Sequence, residues 1–231
     1  MNKLFRGLVL PTVCFVLLGA SVVSADAANI PVFNTGVAAG GTKLTAGADP
    51  HWTVVSGPGI STPFSAVVLA NQHPLGQYFS TPDSAWIWSN ATGASVVGGP
   101  YTFELQFDLT NFDPTTAVLS GFWGADNTGS IRMNGANPTG TGTFALFNSV
   151  VVNFNLLHSF SITGGFVAGI NKLDITVVDT ANPGGLNVNG LNLSATPLTF
   201  VPEPDALALA GLGLVAMVAV RGSRRRLSAE A

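Results

Sequence analysis

Apolar and polar residues alternate along the middle of the chain. Tyr101, Phe103, Leu105, Phe107 and Leu109 alternate with Thr102, Glu104, Gln106 and Asp108. This predicts a half-buried strand with one apolar and one polar face. Leu173, Ile175 and Val177 alternate with Asp174 and Thr176 in the same way. Leu186 and Val188 begin a third run, which slips one place at Gly190 before Leu191 and Leu193. A glycine at such a slip predicts a bulge. Shorter strands are predicted over 52–55, 65–70, 85–88, 116–124, 130–134, 143–147 and 158–163. Turn signals separate them: Gly57-Pro58-Gly59, Gly98-Gly99-Pro100, Asp126-Asn127-Thr128-Gly129, Asn137-Pro138-Thr139-Gly140 and Asn182-Pro183-Gly184-Gly185. The middle has no helical periodicity and no repeat of fixed period. About ten short strands with turns between them predict an all-β fold, an antiparallel two-sheet sandwich over residues 26–195.

The two ends follow different patterns. Lys3 and Arg6 precede an apolar run over 8–20, broken only by Pro11 and Thr12. Small residues follow at Val23-Ser24-Ala25 and Ala25-Asp26-Ala27. Residues 1–25 therefore read as a signal peptide, cut by signal peptidase after Ala25 or Ala27. The alternative, an uncleaved anchor, is disfavoured because the run falls short of the ~20 residues a membrane span needs. At the other end, a linker over 196–201 leads to Pro202-Glu203-Pro204, an uncharged apolar stretch over 206–220, then Arg221, Arg224, Arg225 and Arg226. The prolines remove backbone donors and hold the chain extended and accessible. The apolar stretch predicts a membrane helix rising about 22 Å, short of the ~30 Å hydrocarbon core. The arginines would hold its end at the cytoplasmic face.

This order of elements over 202–226 resembles the PEP-CTERM sorting signal of Gram-negative bacteria. The resemblance covers about the last 30 residues. It implies recognition by an exosortase, a membrane protease-transferase, with processing near Pro202, Glu203 and Pro204. Those three residues would be a recognition site for another enzyme. It also implies export across the inner membrane, transient anchoring, and an outer-surface or extracellular-matrix destination linked to exopolysaccharide and biofilm. The competing reading is a plain single-pass tail anchor.

The middle resembles PEP-CTERM ectodomains with a galactose-binding-like jelly roll. The residues that carry this are Asp49-Pro50-His51-Trp52, the run from Tyr101 to Pro114, Gly124-Ala125-Asp126-Asn127, and the run from Gly169 to Leu186. The resemblance implies a jelly-roll topology often used to bind sugars or calcium. It does not name a ligand.

Charge and cysteine usage narrow the partners. Only 9% of the 231 residues are charged, against about 25% in an ordinary soluble domain. Between residues 26 and 204 three bases (Lys43, Arg132, Lys172) stand against ten acids, a net charge of −7. A body of this sign repels phosphate backbones, so nucleic acid is not an expected partner. The one cysteine, Cys14, lies in the leader, leaving the mature body without disulfide or thiol chemistry.

No recognisable catalytic constellation is present. The chain lacks a Gly-x-Ser-x-Gly elbow, His-Glu-x-x-His, a phosphate loop and a dinucleotide fingerprint. His51, His73 and His158 lack metal-ligand spacing. Trp86, Trp88 and Trp123 are candidate sugar platforms if they face outward, and core if they face inward. Asp49, Asp126 and Asn127 are candidate oxygen ligands for a structural calcium, or turn formers. The expected function is a non-catalytic exported envelope or matrix protein with carbohydrate binding, requiring no cofactor. The alternative is a secreted polysaccharide-acting hydrolase. It would need two carboxyls among Glu104, Asp108, Asp126 and Asp174 to converge in a cleft.

Overall fold

A computed structural model describes residues 26–96, 98–147 and 153–198, together with Gly213. The signal peptide with Ala25, the Pro202-Glu203-Pro204 motif, the 206–220 anchor apart from Gly213, and Arg221, Arg224, Arg225 and Arg226 lie outside the described residues.

The described chain is all-β. Twelve strands are formed: β1 (Ala28–Ile30), β2 (Ala48–Ser56), β3 (Phe64–Val68), β4 (Ile87–Trp88), β5 (Pro100–Asp108), β6 (Val118–Asp126), β7 (Thr128–Met133), β8 (Thr139–Gly142), β9 (Ala145–Leu146), β10 (His158–Gly164), β11 (Ile170–Val178) and β12 (Gly185–Ala195). Every pairing is antiparallel. Hydrogen bonds run without a break through β8-β10-β6-β12-β4-β3-β2-β5-β11-β7-β9, and β1 adds to β12. The result is one curled sheet, where two separate sheets were expected. The short strand β4 bridges the two halves, pairing with β12 through Leu186 and with β3 through Val67 and Val68.

The period-two runs supply the core. Phe103, Leu105, Leu173, Ile175 and Val177 from one half, and Leu119, Trp123, Leu186 and Val188 from the other, join one buried apolar cluster. Burying each such side chain contributes roughly 1.5–3 kcal/mol. The slip at Gly190 is a real irregularity: the β6–β12 register shifts between Asn189 and Asn192, and Gly190 has φ +63°. That backbone region strongly favours glycine.

One turn expectation is corrected. Thr139 and Gly140, read within the turn signal over 137–140, begin the edge strand Thr139–Gly142, which pairs with β10. Its glycines reflect backbone crowding: a Cβ on Gly140 would sit 1.9 Å from the Ser161 carbonyl oxygen. The turn signal over 126–129 falls between two strands, with the break confined to Asn127. The chain leaves β6 at Asp126 and enters β7 at Thr128. Since β6 pairs with β10 and β12 while β7 pairs with β11 and β9, Asn127 is the point where the chain passes between the two halves.

Candidate binding face and buried acids

Alternation along β5 turns Thr102, Glu104 and Gln106 away from the apolar face. The register sets Glu104 opposite Thr53 of β2 and Asp174 of β11, Asp174 opposite Arg132 of β7, and Gln106 opposite Lys172. Charged groups thus form rows across β2, β5, β11 and β7. Glu104 accepts from Gln106 Nε2 at 2.6 Å through Oε1, and from Lys172 Nζ at 2.9 Å through Oε2. Burial, followed by the charge of Glu104, pushes the Asp174 carboxyl above its ordinary range. The bond to Glu104 raises the Lys172 ammonium. Beside this row opens a groove of about 330 Å³, lined by Phe33, Pro50, His51, Thr53, Glu104, Leu105 and Gln106. The rings of Phe33 and His51 stack at 3.6 Å and 3° in its wall.

This face brings together two of the four acids a hydrolase would draw on. Glu104 and Asp174 stand opposite each other on the adjacent strands β5 and β11. Glycosidases set two carboxyls about 5–9.5 Å apart in one cleft, whereas the groove is lined by Glu104 and not by Asp174. Asp108 stands at the exposed end of β5 and accepts from the backbone N–H and hydroxyl of Thr110. These bonds, the hydroxyl's first, hold its carboxyl below the usual range. Asp126 belongs to a different neighbourhood.

Trp86, Trp88 and Trp123 are at most 1% exposed. They are core, which corrects their candidacy as a sugar platform. Their indole N–H groups are satisfied internally by the carbonyls of Phe79, Ala94 and Thr143. Trp86 packs on Tyr78 with centroids 4.4 Å apart, and Trp88 on Tyr101 at 4.9 Å. A pair of neighbouring glycines makes room for them: a Cβ on Gly184 would lie 2.4 Å from Trp88.

The candidate calcium ligands are divided by their surroundings. Asp49 is fully buried. Its Oδ2 accepts from Gly36 N at 2.6 Å, and its Oδ1 from His51 N at 2.8 Å and Trp52 N at 3.1 Å. Burial raises its carboxyl, and the three backbone donors oppose that rise. The Asn127 side-chain oxygen accepts from Thr180 N and Oγ1, both at 2.7 Å, while its carbonyl accepts from Asn153 Nδ2 at 2.6 Å. These oxygens fasten backbone segments, which corrects their assignment as cation ligands. Asp126 differs. Its Oδ2 lies 2.6 Å from the Tyr78 hydroxyl, and its buried Oδ1 has no hydrogen-bond partner. Burial first, with the neighbouring charge of Asp179, pushes its carboxyl up to about 7 against the lowering effect of Tyr78. Among the described residues no three His, Cys, Asp or Glu side chains gather to hold a metal ion.

The role of Asp49 has a local signature, an aspartate two and three residues before the N–H groups it accepts. The bond from Tyr78 to Asp126 has none, because the two residues are 48 positions apart. The groove of Phe33 and His51 likewise emerges only on folding.

Residues 200–226 match the PEP-CTERM protein-sorting motif. The match supports an exported protein, anchored in the membrane of a Gram-negative bacterium and sorted by an exosortase. The PEP-CTERM match covers the tail and leaves the β domain unassigned. No curated protein matches the chain. Among solved structures, a cyclase from Fischerella sp. TAU is 13% identical, covering 75% of this chain and 100% of its own, with a TM-score of 0.43. A Stig cyclase from the same organism is 14% identical over the same shares, with a TM-score of 0.42. Likeness at this level carries no chemistry from those proteins to this one.

Proposed function

We propose that the chain is a non-catalytic envelope or extracellular-matrix protein, sorted by an exosortase and associated with exopolysaccharide. Its β domain is read as a jelly-roll-like sandwich that meets saccharide through a polar sheet face. The observation that carries this reading is the PEP-CTERM tail over 200–226. The tail addresses the domain to the surface, and a groove lined by Glu104 without Asp174 supports binding over hydrolysis. With the tryptophans in the core, the groove beside Glu104 is the better saccharide surface. It sets the stacked Phe33–His51 pair next to a carboxylate and an amide, a mixture of apolar ring face and polar groups that suits a sugar.

Intact-mass spectrometry of the protein recovered from its native cell surface tests the sorting reading. The expected product begins after Ala25 or Ala27 and lacks Arg224, Arg225 and Arg226. Retention of the arginines identifies a plain tail anchor instead. Glycan-array binding by the same material, lost on Phe33→Ala and Gln106→Ala, tests the saccharide reading. An array on which no glycan binds at millimolar concentration leaves a purely structural role.

A further inference from the structure

The Tyr78 hydroxyl has one hydrogen and two acceptor neighbours. Asp126 Oδ2 lies 2.6 Å away and the Pro183 carbonyl oxygen 2.8 Å away. With Asp126 ionised, that hydrogen can serve only one of them. The other oxygen then faces the phenol oxygen at hydrogen-bond distance with no proton between. With Asp126 protonated, both contacts are satisfied: the acid donates to the Tyr78 oxygen, and Tyr78 donates to Pro183.

Two further observations agree with the protonated form. The buried Oδ1 of Asp126 lacks any donor, a setting far costlier for a carboxylate than for a carboxylic-acid carbonyl. Among the described residues no counter-ion meets the site. The titratable groups that face Asp126 are Tyr78 and Asp179. The aligned strand β12 offers Gly185 and Leu186 there, neither ionisable. Behind Tyr78, the His73 ring contacts the Tyr78 carbonyl. Asp179 bonds to the Ser95 hydroxyl and to Ala181 N. The three bases among the described residues are engaged elsewhere: Lys43 at the Thr81 carbonyl, Arg132 at Asn137 and Lys172 at Glu104.

We propose that Asp126 is a neutral acid that closes a proton-dependent clasp, running from Asp126 through the Tyr78 hydroxyl to the Pro183 carbonyl. The clasp joins three segments: the stretch around Tyr78, the end of β6, and the 179–184 loop that leads into β12. Ionisation breaks one of its two hydrogen bonds and places a second negative charge near Asp179. The loop is then held less firmly.

The pH dependence follows from linkage. Below about pH 4 both the folded and the unfolded chain hold the proton, and Asp126 adds no slope. Between there and about pH 7 the unfolded chain releases it while the folded chain keeps it, so stability falls as pH rises. Above that window both forms are ionised and the fall levels off.

The test uses the full chain purified in detergent. Carbon-13 NMR of the side-chain carboxyls is followed from pH 3 to 9, alongside thermal unfolding of wild type and Asp126→Asn. The Asp126 carboxyl is expected to titrate near neutrality. Asp126→Asn, whose amide can donate to Tyr78 permanently, is expected to lose the fall in unfolding midpoint between pH 4 and 7 and to exceed wild type by several degrees at pH 8. Titration of Asp126 in the ordinary aspartate range overturns the proposal, and this reading does not depend on the variant folding. A rise in wild-type midpoint on adding calcium at pH 8, absent in Asp126→Asn, also overturns it, because the ionised group would then be gathering a cation.

Discussion

Asp49 and Asp126 are buried aspartates in one small domain, 0% and 4% exposed, yet their surroundings ask opposite things of them. Around Asp49, β2 breaks register with β3 between Ala48 and Thr53, and the freed backbone N–H groups of His51 and Trp52 turn onto the carboxylate, joined by that of Gly36. Three donors favour the ionised form. Around Asp126, the strand continues to its end in regular pairing with β12, so no spare N–H points inward. A single hydroxyl is left to meet it. Burial raises both acids, opposed by three backbone donors at the first and by one hydroxyl at the second. The number of backbone donors the local fold releases toward a buried carboxyl thus sets how strongly its burial is opposed.

Substitutions should separate the two sites. The largest effect is expected at Asp49→Ala, which orphans three N–H groups at once. A loss of about 4 kcal/mol in chemical denaturation is expected, against the stabilisation expected from Asp126→Asn above neutrality. Equal signs at the two positions would erase the contrast. Next is Gly36→Ala. At φ +63°, an added Cβ would lie 2.4 Å from the Ala85 Cβ, forcing the Gly36 N–H off Asp49 at a cost of roughly 3 kcal/mol. Tyr78→Phe removes the bonds to Asp126 and Pro183 and is expected to cost about 1–2 kcal/mol, measured by unfolding at pH 5. The smallest change is Lys172→Met. Its ion pair with Glu104 spans 2.9 Å, but the lysine side chain is 49% exposed, so less than about 1 kcal/mol is expected. Sensitivity of that pair to added salt, with none at Asp49, would sharpen the distinction between surface and interior charge.

Much of the strand plan was legible before folding. The alternation over 101–109 became β5, and that over 173–177 lies within β11. The slip at Gly190 became the shift in β12. These are local facts of period and backbone freedom. The edge strand β8 was hidden because Thr139-Gly140-Thr141-Gly142 has no apolar member. Glycine there answers to a neighbouring backbone, which composition cannot distinguish from a turn. The tryptophans were ambiguous for a related reason. Period two places residues on a common face, but not on the inner or outer one.

The strand periods, the acidic character of the body and the sorting signal at its end follow from primary structure, because each is written in consecutive residues or in their sum. Tertiary structure alone decided that one curled sheet joins both halves through β4. It also decided that the tryptophans face inward, and that Tyr78, Asp126 and Pro183 meet. Those outcomes depend on contacts between residues dozens of positions apart, whose geometry is set by packing and strand register rather than by any local pattern.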